Sequence, residues 1–212
     1  MRSIRHWTPR YVVARLNEIA YQRRHGNLPW LTEDANQFLQ TYLLPSDVGL
    51  EFGSGRSTVW FASRVSKLVS VEHDQAWHRQ VTESLMQKRL FNVDYRYLAG
   101  DVSDMYAMVA AIHGVTADLK EGQFDFVLVD GVCRDLCTCE ALRLLRPGGM
   151  LVIDNANRHL PSASVSPHSR SHDIGPDGMI WGEIAQTIKP WRHYWTSSGV
   201  TDTAFYFKPT NA

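Results

Sequence analysis

The chain has 212 residues, 44% of them hydrophobic, with 22 basic side chains against 22 acidic ones and an isoelectric point near 7.1. That length suits one domain that needs no disulfide or metal staple, and zero net charge excludes a strong general attraction to nucleic acid or to an anionic membrane. No apolar run approaches the roughly 18–20 residues of a bilayer span. Cys133, Cys137 and Cys139 form an odd set that fits neither a disulfide framework nor a CxxC zinc spacing, so reduced thiols and a cytoplasmic location are expected.

In chain order, residues 9–25 and 32–43 read as helices, the second capped by Thr32 ahead of Glu33 and Asp34. They form an N-terminal helical extension, 1–45, expected to pack on a domain spanning 46–212. From residue 48 strand and helix patterns alternate, which predicts an α/β fold with helices on both faces of a parallel sheet. The strand candidates are Val48–Phe52, Leu68–Glu72, Tyr95–Leu98, Phe124–Val129 and Met150–Ile153, each short and apolar or β-branched. Helices are expected around 57–64, 75–90, 102–112 and 134–145, the last stopped by Arg146-Pro-Gly-Gly149. A helix around Met179–Ile188 then leads to two strands joined near Ser198-Gly199, an antiparallel hairpin closing a Rossmann-like, seven-stranded, mostly parallel sheet. Residues 156–178, with three prolines, five serines and three histidines, carry no apolar period and read as a lid or a disordered segment.

Chemistry concentrates where these strands end. Glu51-Phe-Gly-Ser-Gly-Arg-Ser-Thr58 places two glycines where a buried strand turns into a helix, a turn that lets backbone approach a ligand closely. Glu72 follows Glu51 by 21 residues, the placement of an acid that accepts both hydroxyls of a ribose. With Asp101 and Asp130, each of the first four strands ends beside an acid, at the edge where open α/β sheets bind ligands. Singly, each acid also reads as a helix cap or turn former.

Together these residues resemble the class I S-adenosylmethionine-dependent methyltransferases. Glu51-Phe-Gly-Ser-Gly55 is similar to the glycine-rich first motif, Glu72 to the ribose-binding acid and Gly100-Asp101 to the adenine contact; Phe124–Gly131 and Leu145–Asn155 are similar to later motifs. The resemblance covers about residues 46–208 and implies S-adenosylmethionine bound by Glu51, Gly53, Ser54, Gly55, Ser57, Glu72, His73, Asp101, Val102 and Asp130. It further implies methyl transfer to a nucleophile held over the strand ends, with an oxygen of a small molecule or glycan as the expected acceptor and no nucleic-acid or membrane partner. A hydroxyl acceptor needs a base or a metal. Asp130 and, among the loop histidines, His159 are the catalytic candidates.

Asp130, Asp154 and Asn155 bring three oxygens to the ends of the fourth and fifth strands, a set that suits Mg²⁺ and is spaced like the metal ligands of catechol-type O-methyltransferases. This chain lacks that pattern's lysine three residues after Asp130; Cys133 stands there, with Arg134 next. The same three residues also read as turn formers plus one cofactor contact. Asn157 and Arg158 are candidate acceptor contacts, Arg170 either binds an acidic substrate or is an exposed charge, and Trp7, Tyr11 and Trp30 either wall an acceptor pocket or pack the extension on the sheet. Two other functions use the same glycine turn: a nicotinamide-dependent oxidoreductase, disfavoured by the missing third glycine and the reversed last strands, and a non-catalytic cofactor binder.

Overall fold

Burial on both faces makes the central strands read as nearly continuous apolar runs, and they lie where those runs place them. The computed structural model describes residues 8–210; Trp7 and the basic opening segment lie outside the described residues. After α1 (Pro9–Arg24) and α2 (Glu33–Tyr42), strands β1 (Val48–Phe52), β2 (Lys67–Glu72), β3 (Val93–Tyr97), β4 (Phe124–Val129) and β5 (Leu145–Asp154) alternate with α3 (Arg56–Ala62), α4 (Gln75–Gln87), α5 (Met105–Thr116) and α6 (Arg134–Leu144). Helix α7 (Gly178–Ile188) leads to the hairpin β6 (Arg192–Ser197) and β7 (Asp202–Phe207). The seven strands lie in the order β3-β2-β1-β4-β5-β7-β6, parallel through β5, with β7 antiparallel to both β5 and β6.

Period-two alternation sorts the strand side chains to two faces. Leu50, Phe52, Val127, Val129, Leu151 and Ile153 pack with α5, α6 and α7; Phe126, Leu128, Met150 and Val152 pack with Leu31, Ala35 and Leu39 of the α2 region and Phe61 of α3. Fully buried phenylalanines such as Phe52, Phe61 and Phe126 each contribute roughly 1.5–3 kcal/mol of burial free energy. Thr32 caps α2 as expected, its Oγ1 accepting from the Ala35 N–H. Helix α1 buries none of its residues.

Three local expectations are corrected. Arg146-Pro-Gly-Gly149 is not a separate turn: β5 starts directly at Leu145, and the irregularity appears as a register shift against β4. Strand β3 starts two residues earlier than its apolar pattern indicated, because Asp94 and Arg96 alternate through it and Arg96 pairs with both Asp94 and Asp118. Of the two readings of segment 156–178, the disordered one is corrected: the segment is ordered. It opens with a short 3-10 turn over Ala156–Arg158 and is stapled by fully buried Asn157, whose Nδ2 donates to the Pro167 carbonyl and to Ser169 Oγ.

Candidate active site

The glycine turn after β1 lies against the loop after β4. Gly53 has φ +93°, and a Cβ built there would meet the Gly131 nitrogen at 2.4 Å, so this backbone-on-backbone approach requires glycine. Asp130 N–H donates to the Phe52 carbonyl at 2.8 Å, which holds the two loops in register.

Glu51 points to the α3 face and is fully buried. The parallel register sets Ser70 of β2 beside it, and Glu51 Oε2 accepts from Ser70 Oγ at 2.8 Å and from Thr58 Oγ1 at 2.7 Å. Thr58 Oγ1 in turn accepts from the Gly55 N–H, which ties the carboxylate to the turn. Glu51 Oε1 has no partner with hydrogen-bond geometry among the described residues, although the Ser57 hydroxyl lies near enough to favour the ionised carboxylate. Burial raises the Glu51 carboxyl to about 7, partly offset by the neighbouring hydroxyls.

Glu72 ends β2 and is buried, but its oxygens are engaged. Oε2 accepts from the Ser54 N–H and Ser54 Oγ, and Oε1 from the His73 and Asp74 N–H groups, at 2.8–2.9 Å. Ser54 Oγ also shares a hydrogen bond with Tyr95 OH, and the Ser54 carbonyl accepts from Trp77 Nε1 at 2.8 Å. Both Glu72 oxygens are thus occupied by protein donors. Asp101 departs from the expected edge: β3 ends at Tyr97, and Asp101 lies four residues further on, exposed, accepting from the Ser103 N–H and hydroxyl. Val102 beside it is exposed as well. Ser57 is buried at the start of α3, lining the cavity described below.

The ends of β4 and β5 are joined by a residue that was not among the candidates. Arg134 Nη2 donates to Asp130 Oδ1 at 2.7 Å and to the Asp130 carbonyl at 2.8 Å, Nε donates to the Gly131 carbonyl, and Nη1 donates to the Asp154 carbonyl and lies 4.0 Å from Asp154 Oδ2. Asp154 Oδ1 accepts from Thr203 Oγ1 and Oδ2 from Asn155 Nδ2. Burial raises both carboxyl groups, Asp130 well above the usual range because Asp154 adds to the effect, while Arg134 pulls each back. The three expected magnesium ligands therefore do not fit an ion: a guanidinium already occupies the Asp130 carboxylate and the Asp154 carbonyl, the Asp130 and Asp154 carboxyl groups hydrogen-bond to each other, and Asn155 turns its amide N–H groups to Asp154 and Thr201. Among the described residues no three His, Cys, Asp or Glu side chains gather around a metal position.

His159 follows on the adjoining loop. Its ring stacks on Trp181 of α7 with centroids 4.8 Å apart and planes 10° apart, and its Nδ1 lies 3.3 Å from Asp177 Oδ2. Burial holds its pKa below the ordinary histidine value, against the pull of Asp177. Arg170 is neither a substrate arm nor a free surface charge: it donates to the Gly175 and Pro176 carbonyls and to Asp177, fixing the dyad's acid. Asn157, expected at the acceptor, is the buried loop staple.

A cavity of about 790 Å³ runs from Ser54, Gly55 and Asp130 along α3 and α4, with Trp30 and Trp77 among its walls and the Arg56 guanidinium 4.9 Å over the Trp30 ring. Sequence reasoning missed Arg134, Asp177 and Trp181. The four-residue spacing of Asp130 and Arg134 was the one local signal; the others meet their partners only through the fold.

Known proteins can be compared with this geometry. A family model described as a methyltransferase domain matches residues 50–156, half of the chain. No curated protein matches. Among solved structures, an O-methyltransferase from Bacillus cereus in complex with S-adenosylhomocysteine superposes with a TM-score of 0.58 at 19% identity, covering 95% of this chain and 91% of that one. A methyltransferase from Geobacter sulfurreducens superposes with a TM-score of 0.53 at 12% identity, covering 92% and 88%. Identities this low speak for the fold, whereas the family match falls on the segment from the glycine turn to the end of β5. The chain belongs to the methyltransferase-domain family, within the class I, Rossmann-like, S-adenosylmethionine-dependent methyltransferases.

Proposed function

We propose that this protein moves a methyl group from S-adenosylmethionine to an oxygen of a small molecule or glycan. The observation that carries the reading is Glu51 Oε1, a buried carboxylate oxygen without a partner beside the glycine turn. Such an atom is costly unless a donor arrives, and the ammonium of the cofactor's methionine portion is a donor of the right charge. When bound, the cofactor supplies an electrophilic sulfonium methyl; the rest is the work of the chain. Gly53, Ser54, Gly55 and Ser57 bring backbone and small side chains close to the ligand, with Glu72 and His73 at the ribose and Asp101 and Val102 at the outer end. Residues 46–212 form the cofactor-binding domain, and the extension over 1–45 contributes Trp30 to the cavity wall.

For the acceptor, His159 is the base. Asp177 engages Nδ1, leaving Nε2 to take the hydroxyl proton, and the depressed pKa keeps the ring neutral near pH 7. Asp130, which lines the cavity and is held by Arg134, orients the acceptor. The free cysteines support the cytoplasmic location, and no helix among the described residues is long and apolar enough to cross a membrane. The test is radiolabelled methyl transfer to a panel of phenols, hydroxy acids and oligosaccharides, with His159→Ala beside the wild type. Product with the wild type and a loss of about 10²–10⁴-fold in the variant support the reading; methylation only of amines or of nucleic acid overturns it.

A further inference from the structure

Two adjacent carboxyl groups at a strand edge are relieved by a cation or by a shared proton, and beside their own hydrogen bond this chain supplies a cation covalently. Asp130 and Asp154 come from neighbouring parallel strands whose register aligns Val129 with Ile153, so their side chains emerge together. Arg134 is the first residue of α6, one turn after Asp130, and its side chain is only 16% exposed. Cys133 immediately before it takes a left-handed conformation, φ 45° and ψ 49°, which turns the chain sharply between strand and helix. The guanidinium then has all three of its nitrogens on the ends of β4 and β5: the carbonyls of Asp130, Gly131 and Asp154 and the Asp130 carboxylate. Guanidinium suits this better than an ammonium because it is planar, keeps its charge when buried and spreads its donors over several acceptors.

We propose that Arg134 is a built-in counter-ion that occupies the place of a divalent metal at the Asp130 carboxylate and the carbonyls of Asp130, Gly131 and Asp154, so that the strand edge is complete without an ion and removal of the guanidinium opens a divalent-cation site. This inference does not depend on the methyl-donor reading, since it concerns charge and oxygen geometry alone. Without Arg134, the Asp130 carboxylate and the carbonyl oxygens of Asp130, Gly131 and Asp154 lose their donor, and Asp154 Oδ2 loses its nearby positive charge. Hard oxygen ligands of this kind suit Mn²⁺ and Mg²⁺.

The experiment is Mn²⁺ binding by electron paramagnetic resonance, read as depletion of the free-ion signal, on the wild type, Asp154→Asn, Arg134→Ala, Arg134→Lys and Arg134→Ala/Asp154→Asn, all without added cofactor. The wild type and Arg134→Lys are expected to leave the free signal unchanged at millimolar Mn²⁺. Arg134→Ala is expected to bind one ion at least about tenfold more tightly, and Asp154→Asn to abolish that gain. Should Arg134→Ala fail to fold, Arg134→Gln, which keeps donors for the carbonyls but loses the charge, takes its place. Stoichiometric Mn²⁺ binding by the wild type that is lost in Asp154→Asn would overturn the proposal, as would a folded Arg134→Ala or Arg134→Gln that binds no more Mn²⁺ than the wild type. Failure of the protein to bind S-adenosylhomocysteine would leave these readouts unaffected, so the two readings fail separately.

Discussion

Glu51 makes the most quantitative prediction, because its carboxyl is held at about 7 by burial while one of its oxygens has no donor. If the ligand's ammonium pairs with that oxygen, only the ionised form binds well. With a pKa of about 7, roughly one molecule in eleven is ionised at pH 6 and about ten in eleven at pH 8. The dissociation constant for S-adenosylhomocysteine is therefore expected to fall about tenfold between those two pH values. Glu51→Gln removes the titration: its affinity should be flat over the same range and weaker than the wild type at pH 8 by about 1.5–3 kcal/mol, the range for a charge-assisted hydrogen bond. Stability carries the opposite slope. The folded-state pKa lies above the ordinary value of 4.5, so the ligand-free native state holds the proton longer than the unfolded chain. Its stability contribution is present below pH 4.5 and is lost as pH rises through 7, by about 3 kcal/mol in total. Calorimetric titrations at four pH values, with denaturant melts of the ligand-free protein, measure both. Equal pH slopes for the wild type and Glu51→Gln would refute the assignment.

Other perturbations test the surrounding construction. Gly53→Ala places a Cβ 2.4 Å from the Gly131 nitrogen at a left-handed φ and is expected to destabilise the protein by about 2–4 kcal/mol, seen as a lower urea midpoint. Asn157→Ala removes two hydrogen bonds from a fully buried side chain; a loss of about 1–3 kcal/mol and faster limited proteolysis within residues 159–177 are expected. If His159 is the base, the acid limb of the rate profile lies below the ordinary histidine pKa of 6.5. Asp177→Asn, which removes the group holding that value up, moves the limb further down. An unmoved limb in Asp177→Asn would separate Asp177 from the chemistry.

How much of this was legible in the sequence depended on the range of the interactions. Strands β1 and β4 were read to the residue because both of their faces are buried and every position is constrained. At β3 the pattern weakened, since it is an edge strand on which Arg96 and Asp94 satisfy each other and leave little apolar signal. The glycine turn and the acids after it were visible because local backbone geometry dictates glycine there. The role of Arg134 was not visible: its spacing from Asp130 is local, but Asp154 comes from the next strand twenty residues on, and only the parallel register brings it to the same guanidinium. The choice between a lid and a disordered segment at 156–178 stayed open for the same reason. The segment's order rests on polar side chains satisfied across the loop and on Ser166 donating to Asp202 of the hairpin, and such contacts leave no periodicity.

The glycine turn is expected to receive S-adenosylmethionine in a site complete without a metal. Calorimetric titration of the protein with S-adenosylhomocysteine in excess EDTA, with NAD as the control, tests it most directly. One-to-one binding at micromolar strength or tighter, unchanged when Mg²⁺ replaces EDTA and absent with NAD, is the predicted result. Heat with NAD alone, or binding of S-adenosylhomocysteine only when Mg²⁺ is present, would contradict it.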